Sequence, residues 1–533
     1  MITRISKAAY RLVFIATLLF PIVGCNQGDI QRPNILIIMA DDLGYSDLGS
    51  YGGEIATPNL DKLAKNGLKY TQFYNTGRCW PTRASLLAGY YPQQIGRDSA
   101  PGIKGGGQGE RPDWAQLLPE YLKEAGYRSY HTGKWHIDGM PIQTGFDRSY
   151  MLEGPIDHFR PVEHYENDNK LPRIKKGSDY YSTTEITDRT IKYLKEHESN
   201  YKDHSFFSYV AFTAPHFPLH ALEEDINRVG ERYNSGWNEI RKQRWKRIQE
   251  MNLVEGRLSE VERDIGPPYD FPKALEILGD GEVNRPVPWD SLTTQQKQFQ
   301  QDKMTIHAAM IERMDKEIGR IIDQLKALDY YNNTLIVFLS DNGASSEIMV
   351  RGNGHDPNAR PGSADTFLSL GPGWSTVSNT PFRRHKTWVH EGGIATPFIV
   401  QWLDGIEDRG SLRTAAGHVI DLVPTVLDLA GLERSSQITK SMPGRSLVPT
   451  FDSNIEWDRK LWWYHEGNRA MRAGDWKIVA SKDEDWRLFN LEKDRAETNN
   501  LAENRPEKIQ TLKTQWNNEL EDFKEIVPKE YLE

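Results

Sequence analysis

Four stretches of this chain are predominantly apolar and rich in β-branched or aromatic residues: Pro33–Ala40, Ser205–Thr213, Asn333–Ser340 and Thr396–Trp402. None shows the polar–apolar alternation of a half-solvated strand. Each therefore predicts a strand covered on both faces, as in a parallel sheet between helices. Tyr127–Thr132 predicts a further, more polar strand. Apolar positions at helical spacing predict helices from Thr57, from Leu117 to Gly126, from Met304 to Leu328 and from Val419 to Leu429. This order of strands and helices predicts an α/β fold with a large, mainly parallel sheet. The pattern changes near residues 435–455. Trp462–Tyr464, Ala470–Arg472, Trp476–Ala480 and Trp486–Asn490 are short runs between Gly and Asp turns, which predict a smaller antiparallel sheet. Residues 506–524 predict a closing helix. Residues 222–300, rich in Arg, Glu, Gln and Trp, read as an insertion of surface helices and loops.

The apolar runs stop at polar groups. Asp41 and Asp42 follow the first, His216 the strand at 205–213, and Asp341 and Asn342 the strand at 333–340. Lys134 and His136 follow the strand near 130, and Lys386 precedes the last strand. In open α/β sheets ligands gather at the carboxyl ends of strands. Three carboxylates and an amide make an all-oxygen set suited to a hard cation, Ca2+ ahead of Mg2+. Arg83, Lys134, His136, His216 and Lys386 are a basic set able to hold an anion. Taken singly, the acids also read as solvated turns and the histidines as hydrogen-bonded loop residues.

Composition changes the picture in three places. The formal charge of −9 gives no reason to expect nucleic-acid binding, so an anionic partner must be met by local positive charge. Fifteen Trp and 23 Tyr are a surplus that fits either core packing or a carbohydrate-contacting surface. The start of the chain carries Arg4, Lys7 and Arg11, then an apolar run from Leu12 to Val23, too short to span a bilayer but suited to an export signal. It ends in Ile22-Val23-Gly24-Cys25, which resembles a bacterial lipobox. That resemblance implies a signal peptide over 1–24, a lipid-modified Cys25, a tether over 25–32 and an exported protein held at the cell envelope by its lipid alone.

Cys79 is the other cysteine. Pro81 suits a first helical turn and Gly89 a helix end, which places Cys79 at a helix N-terminus with Arg83 one turn along. Exposed N–H groups, the helix dipole and a guanidinium then meet beside one sulfur atom. A buried structural cysteine is the other reading of this stretch alone. Cys79-Trp80-Pro81-Thr82-Arg83 resembles the C-x-P-x-R signature of the type I sulfatases, and the strand-end residues match that family's pattern in order. The resemblance implies an alkaline-phosphatase-like fold, with a catalytic domain over 33–435 and an α+β subdomain over 436–533. It further implies that a maturation enzyme oxidises Cys79 to formylglycine (3-oxoalanine), whose hydrate attacks a sulfate ester. Asp41, Asp42, Asp341, Asn342 and the modified Cys79 would bind Ca2+. Arg83 would steady the formylglycine, His136 would take the proton that lets sulfate leave, and Lys134, His216 and Lys386 would bind sulfate and serve the departing alkoxide.

The expected substrate is a sulfated glycan, of algal or host type. Gly371–Gly393 resembles the arylsulfatase-type bacterial members that act on such glycans. His355, His465, Glu466, Asn468 and Arg469 are candidates for sugar contact. A phosphomonoesterase or phosphonate hydrolase of the same superfamily and a non-catalytic glycan-binding lipoprotein are the alternatives. Cys79 in place of Ser or Thr argues against the first, and the clustered acids and bases against the second.

Overall fold

The computed structural model describes residues 32–154, 156–352, 354–432 and 441–533. The export signal, Cys25, the tether as far as residue 31 and the boundary expected at 435/436 lie outside the described residues.

The large sheet takes β1 (Asn34–Ala40), β2 (Leu68–Tyr74), β3 (Arg128–Lys134), β4 (Arg148–Glu153), β5 (Glu163–Glu166), β6 (Asn169–Lys170), β7 (Phe206–Ala211), β8 (Thr334–Ser340), β9 (Ala395–Gln401), β10 (Leu412–Arg413) and β11 (Gly417–His418). Its order is β10-β2-β9-β8-β1-β7-β3-β4-β5-β6, with β11 also on β2. Strands β8, β1, β7, β3 and β4 run parallel, and β9 is antiparallel to both β8 and β2.

Every residue of β1, β7 and β8 is buried, because successive side chains enter two different cores. Leu36, Ile38, Ile336 and Phe338 face one core, and Ile35, Ile37, Leu335 and Val337 the other. This two-sided burial is why these strands show no alternation. Among the helices, α1 (Pro58–Lys65), α4 (Ser182–Tyr201), α5 (Glu223–Val229), α6 (Gly236–Glu250), α7 (Pro272–Leu278), α8 (Thr294–Ala327) and α9 (Gly371–Ser378) send side chains into the first core. The second core is covered by α2 (Cys79–Ala88), α3 (Leu118–Glu124) and α11 (Leu422–Leu429); the short α10 (Glu391–Ile394) leads directly into β9.

Helix α8 begins ten residues before the expected Met304. The start signal is polar: Thr293 Oγ1 accepts from Gln296 N at 3.2 Å, and Gln296 Oε1 accepts from Thr293 N at 3.0 Å. The 222–300 segment is not a surface appendage. Trp237 packs on Trp289 and Trp374 with ring centres 4.8 and 5.7 Å away. Arg244, fully buried, pairs with Asp47 at 2.7 Å and Glu54 at 2.8 Å. Its charge-rich composition thus conceals a buried ion network beneath the loop that follows Asp42.

The second sheet is antiparallel, ordered β12 (Lys460–His465), β13 (Asn468–Ala473), β14 (Trp476–Ala480) and β15 (Arg487–Asn490), with α12 (Pro506–Ile526) packed on it. It is tied to the large sheet through buried charge. Lys477 on β14 reaches Glu391 and Glu497, each at 2.8 Å, and Arg495 adds a contact to Glu391 at 3.2 Å. Trp463 Nε1 donates to Asn75 O just past β2.

Candidate active site

Register explains how residues 300 apart become neighbours. β1 and β8 are adjacent and parallel, and Ala40 lies opposite Ser340. The next residues on each strand, Asp41 and Asp341, therefore emerge together at the carboxyl edge. Asp42 N donates to Asp341 Oδ1 at 3.3 Å. Asp42 has φ of 67°, which turns the chain back over the sheet edge. β3 lies two strands from β1 and delivers Lys134 to the same edge. Gly133 at φ 108° is required there: a Cβ would lie 1.9 Å from Ala211 O on β7. His216 follows β7. Because β9 runs antiparallel, its start lies at this edge, and Lys386 arrives just before it. β2 ends at Tyr74, and Cys79 opens α2 five residues later.

Arg83, fully buried, donates to Asp341 Oδ2 from Nε at 2.9 Å and Nη2 at 2.7 Å, and from Nη1 to Lys134 O at 3.1 Å. Lys134 Nζ donates to Asp41 Oδ2 at 2.7 Å. Lys386 Nζ donates to Asp42 at 2.9 Å, and His216 Nε2 lies 3.7 Å from Asp42 Oδ2. Asn342 Nδ2 donates to Asp42 Oδ1 at 2.7 Å. The buried Cys79 sulfur is near enough to Arg78, Arg83, Lys134 and Lys386 to act on the charge of each.

Burial sets the titration of these groups, and their neighbours then correct it. It pushes Asp42 and Asp341 up, and Asp41 raises Asp341 further. It pulls His136 and His216 well below the ordinary histidine range, reinforced by Lys134 beside the first and Lys386 beside the second. Burial also opposes charge on the two lysines. Asp41 overcomes it at Lys134 and Asp42 at Lys386, so both stay protonated.

Two buried oxygens, Asp41 Oδ1 and Asn342 Oδ1, have no hydrogen-bond partner among the described residues. Ligand atoms of Asp41, Asp42 and His216 lie within 4.8 Å of one another. Buried acceptors without donors are costly, and a cation between them resolves the cost. The residues present therefore fit a metal ion. Beside them opens a cavity of about 650 Å³, whose wall includes Cys79, Lys134, His136, His216, Glu347 and Lys386.

A sulfatase family model matches residues 33–432. The chain is a member of the sulfatase family. A second model, for the C-terminal part of N-sulphoglucosamine sulphohydrolase, matches residues 383–525. An uncharacterised sulfatase of Schizosaccharomyces pombe is 32% identical over 92% of this chain and 94% of its own length. The arylsulfatase of Klebsiella aerogenes is 32% identical over 78% of this chain and 90% of its own. The solved structure of BT4656 with its substrate D-glucosamine-2-N,6-O-disulfate shares the fold at TM-score 0.62 and 21% identity, covering 93% of this chain and 99% of that one.

The residues proposed for sugar contact are placed differently, and none of them lines this sulfatase's cavity. His465 is fully buried, its Nδ1 bonded to Asp98 at 2.7 Å and its ring against Trp80. Asn468 Nδ2 donates to Thr387 O and His465 O. Arg469 donates to the carbonyls of Gly467, Ser481 and Glu484 and stacks on Trp486. His355 Nδ1 accepts from Phe367 N at 3.1 Å. Glu466 alone is well exposed, and it accepts from Tyr269 OH at 2.9 Å. These side chains hold loops together, a task that polar residues near a turn serve as readily as ligand binding.

Three residues of the cavity wall escaped the sequence reading. Arg78 stacks between Trp80 and Tyr269, 5.2 Å from each ring centre. Arg97, buried, bonds to Gly109 O, Gly107 O and His136 O, tying a glycine-rich loop to the His136 turn. Glu347 bridges Arg78 and Lys386. Its one sequence signal is an acid set directly before the apolar run Ile348-Met349-Val350.

Proposed function

We propose that the enzyme removes sulfate from sulfated carbohydrates, using a formylglycine made from Cys79 and a Ca2+ ion held by Asp41, Asp42, Asp341, Asn342 and the modified side chain. The observation that carries this reading is the pair of unpartnered buried oxygens, Asp41 Oδ1 and Asn342 Oδ1, beside Cys79 and four cationic side chains. Ca2+ would offset the charge of the sulfate ester, and a formylglycine hydrate would supply a nucleophile with a second hydroxyl for turnover. Arg83 fixes Asp341 and Lys134 in place. Lys134 and Lys386 stay protonated and offer N–H donors to sulfate oxygens and to the departing alkoxide. His136 is held neutral and its Nδ1 has no partner among the described residues, so it would take the proton that lets sulfate leave. His216 Nε2 lies 3.7 Å from Asp42 Oδ2, in the same group as Asp41. We also propose that Cys25 carries lipid and anchors the protein at the cell envelope; palmitate labelling that persists in Cys25→Ser would refute that.

The cavity is roomy enough for a sugar ring beyond the sulfate. BT4656, a structural neighbour, is described with a sulfated glucosamine substrate. The test is to produce the full chain with a formylglycine-generating enzyme and screen aryl sulfate, aryl phosphate and defined sulfated oligosaccharides. Mass spectrometry of the Cys79 peptide and metal analysis accompany the rates. Sulfate release with bound Ca2+ and formylglycine is expected. Equal activity from the unmodified thiol, or a preference for aryl phosphate, would overturn the reading.

A further inference from the structure

Glu347 stands among groups that bind an anion, yet it is an anion itself. Its side chain is 1% exposed. Oε2 lies 3.1 Å from Lys386 Nζ and accepts from Ser345 Oγ at 2.9 Å, while Oε1 lies 3.2 Å from Arg78 Nη2. Against the upward push of burial, Arg78 and Lys386 hold its carboxyl down at about 2, so it is ionised at any working pH. Burying a third charge beside a cationic pair costs desolvation and weakens the local attraction for a sulfate group. Sulfate affinity alone does not explain it.

Charge balance does. Arg78, Arg83, Lys134 and Lys386 surround the Cys79 end of the cavity, and Asp41, Asp42, Asp341 and Glu347 match them one for one. Among these eight side chains the charges cancel with Glu347 in place, and a bound divalent ion would supply the net charge at this end of the cavity. A sulfate monoester carries one negative charge. A phosphate monoester has nearly the same tetrahedral shape but carries between one and a half and two charges near neutral pH, since its second pKa is about 6. Shape cannot separate the two; the net charge of the pocket can, because each further positive charge favours the dianion more than the monoanion.

We propose that Glu347 is a specificity-determining residue, whose buried charge keeps the pocket matched to singly charged sulfate esters and lowers its affinity for phosphate. This rests on the sulfatase reading of the site. Glu347 acts through Lys386 and Arg78 and takes no part in bond breaking.

The test uses the full chain with formylglycine content matched by mass spectrometry. Inhibition constants of a simple alkyl phosphate, mostly a dianion at pH 7.5, and of the matching alkyl sulfate, a monoanion, are compared against aryl-sulfate turnover at that pH, and phosphate binding is measured directly by calorimetry. Glu347→Gln should tighten phosphate relative to sulfate by about tenfold, and Glu347→Asp should hold the ratio near that of the unaltered enzyme. Arg78→Met, which removes a cation, should move the ratio the opposite way, and it serves as the test should Glu347→Gln fail to fold. Equal factors for phosphate and sulfate in these variants would overturn the proposal, since a merely structural role weakens both alike. An unaltered enzyme that hydrolyses no aryl sulfate refutes the reading of the site itself. An active enzyme whose variants leave the ratio unmoved refutes only the role of Glu347.

Discussion

Arg83 places two N–H donors, Nε and Nη2, on a single oxygen of Asp341, at 2.9 and 2.7 Å. The other oxygen, Oδ1, is left with one long contact to the Asp42 backbone. The guanidinium thus fixes the rotation of the carboxylate as well as its charge, which a lysine cannot do. Arg83→Lys should keep the fold but lower kcat by about a hundredfold or more and reduce bound Ca2+. Steady-state rates with metal analysis by mass spectrometry check both; unchanged metal content with lost rate would show that Arg83 does not shape the acid cluster.

The tie between the two sheets predicts a stability defect without a catalytic one. Lys477 answers Glu391 and Glu497, all three fully buried. Lys477→Met leaves Glu497 without its ion-pair partner and Glu391 with Arg495 alone, and should cost about 3–5 kcal/mol. Denaturant unfolding measures the loss. Aryl-sulfate kcat per folded molecule should change less than twofold at low temperature.

Four histidines predict the response to acid. Burial pulls His131 and His158 to about 3, and His197 and His220 to about 4, against an ordinary 6.5. Between pH 6.5 and about 4 the unfolded chain binds protons at these positions and the folded chain does not. Stability therefore rises with pH across this window and is lost as pH falls through it. The melting temperature should drop steeply below pH 6.5. His131→Phe, which keeps a ring beside Trp135 and Phe146, should make the decline shallower by up to about one proton's worth of slope. An unchanged slope would place the acid sensitivity elsewhere.

Arg97 offers a further check on the wall of the cavity. Its guanidinium joins the 107–109 loop to the carbonyl of His136. Arg97→Met should release both, raising KM for an oligosaccharide substrate more than for a small aryl sulfate, because the loop lines the cavity and a larger substrate touches more of it. Equal changes for both substrates would assign Arg97 to stability alone.

Much of the fold was legible. β1, β7 and β8 are buried on both faces, and their largely apolar runs without alternation say so directly. The start of α8 was not, because a Thr–Gln capping box is polar and hides in polar sequence. In the site, Asp41, Asp341, Lys134 and Lys386 were legible as groups at strand boundaries, since strand edges gather them. Their adjacency was not, because it depends on Ala40 lying opposite Ser340, a matter of strand order that periodicity does not carry. Glu347 was missed because its partners, Arg78 and Lys386, come from opposite ends of the domain. His465 and Arg469 were misread because a polar residue that holds a turn has the same composition as one that waits for a ligand.

The contact between Asp42 and Asp341 joins positions 299 residues apart. During synthesis the first acid pair leaves the ribosome long before its partners exist. Until Asp341 and Asn342 are made, the nascent chain carries β1 as an unpaired apolar strand edge, the kind of surface that aggregates. A product cut short before residue 334 lacks β8 and β9 together, so it has no strand to lay against that side of β1. Chaperone demand should therefore concentrate on the first two thirds of the chain, and premature termination there should yield insoluble protein with no trace of turnover.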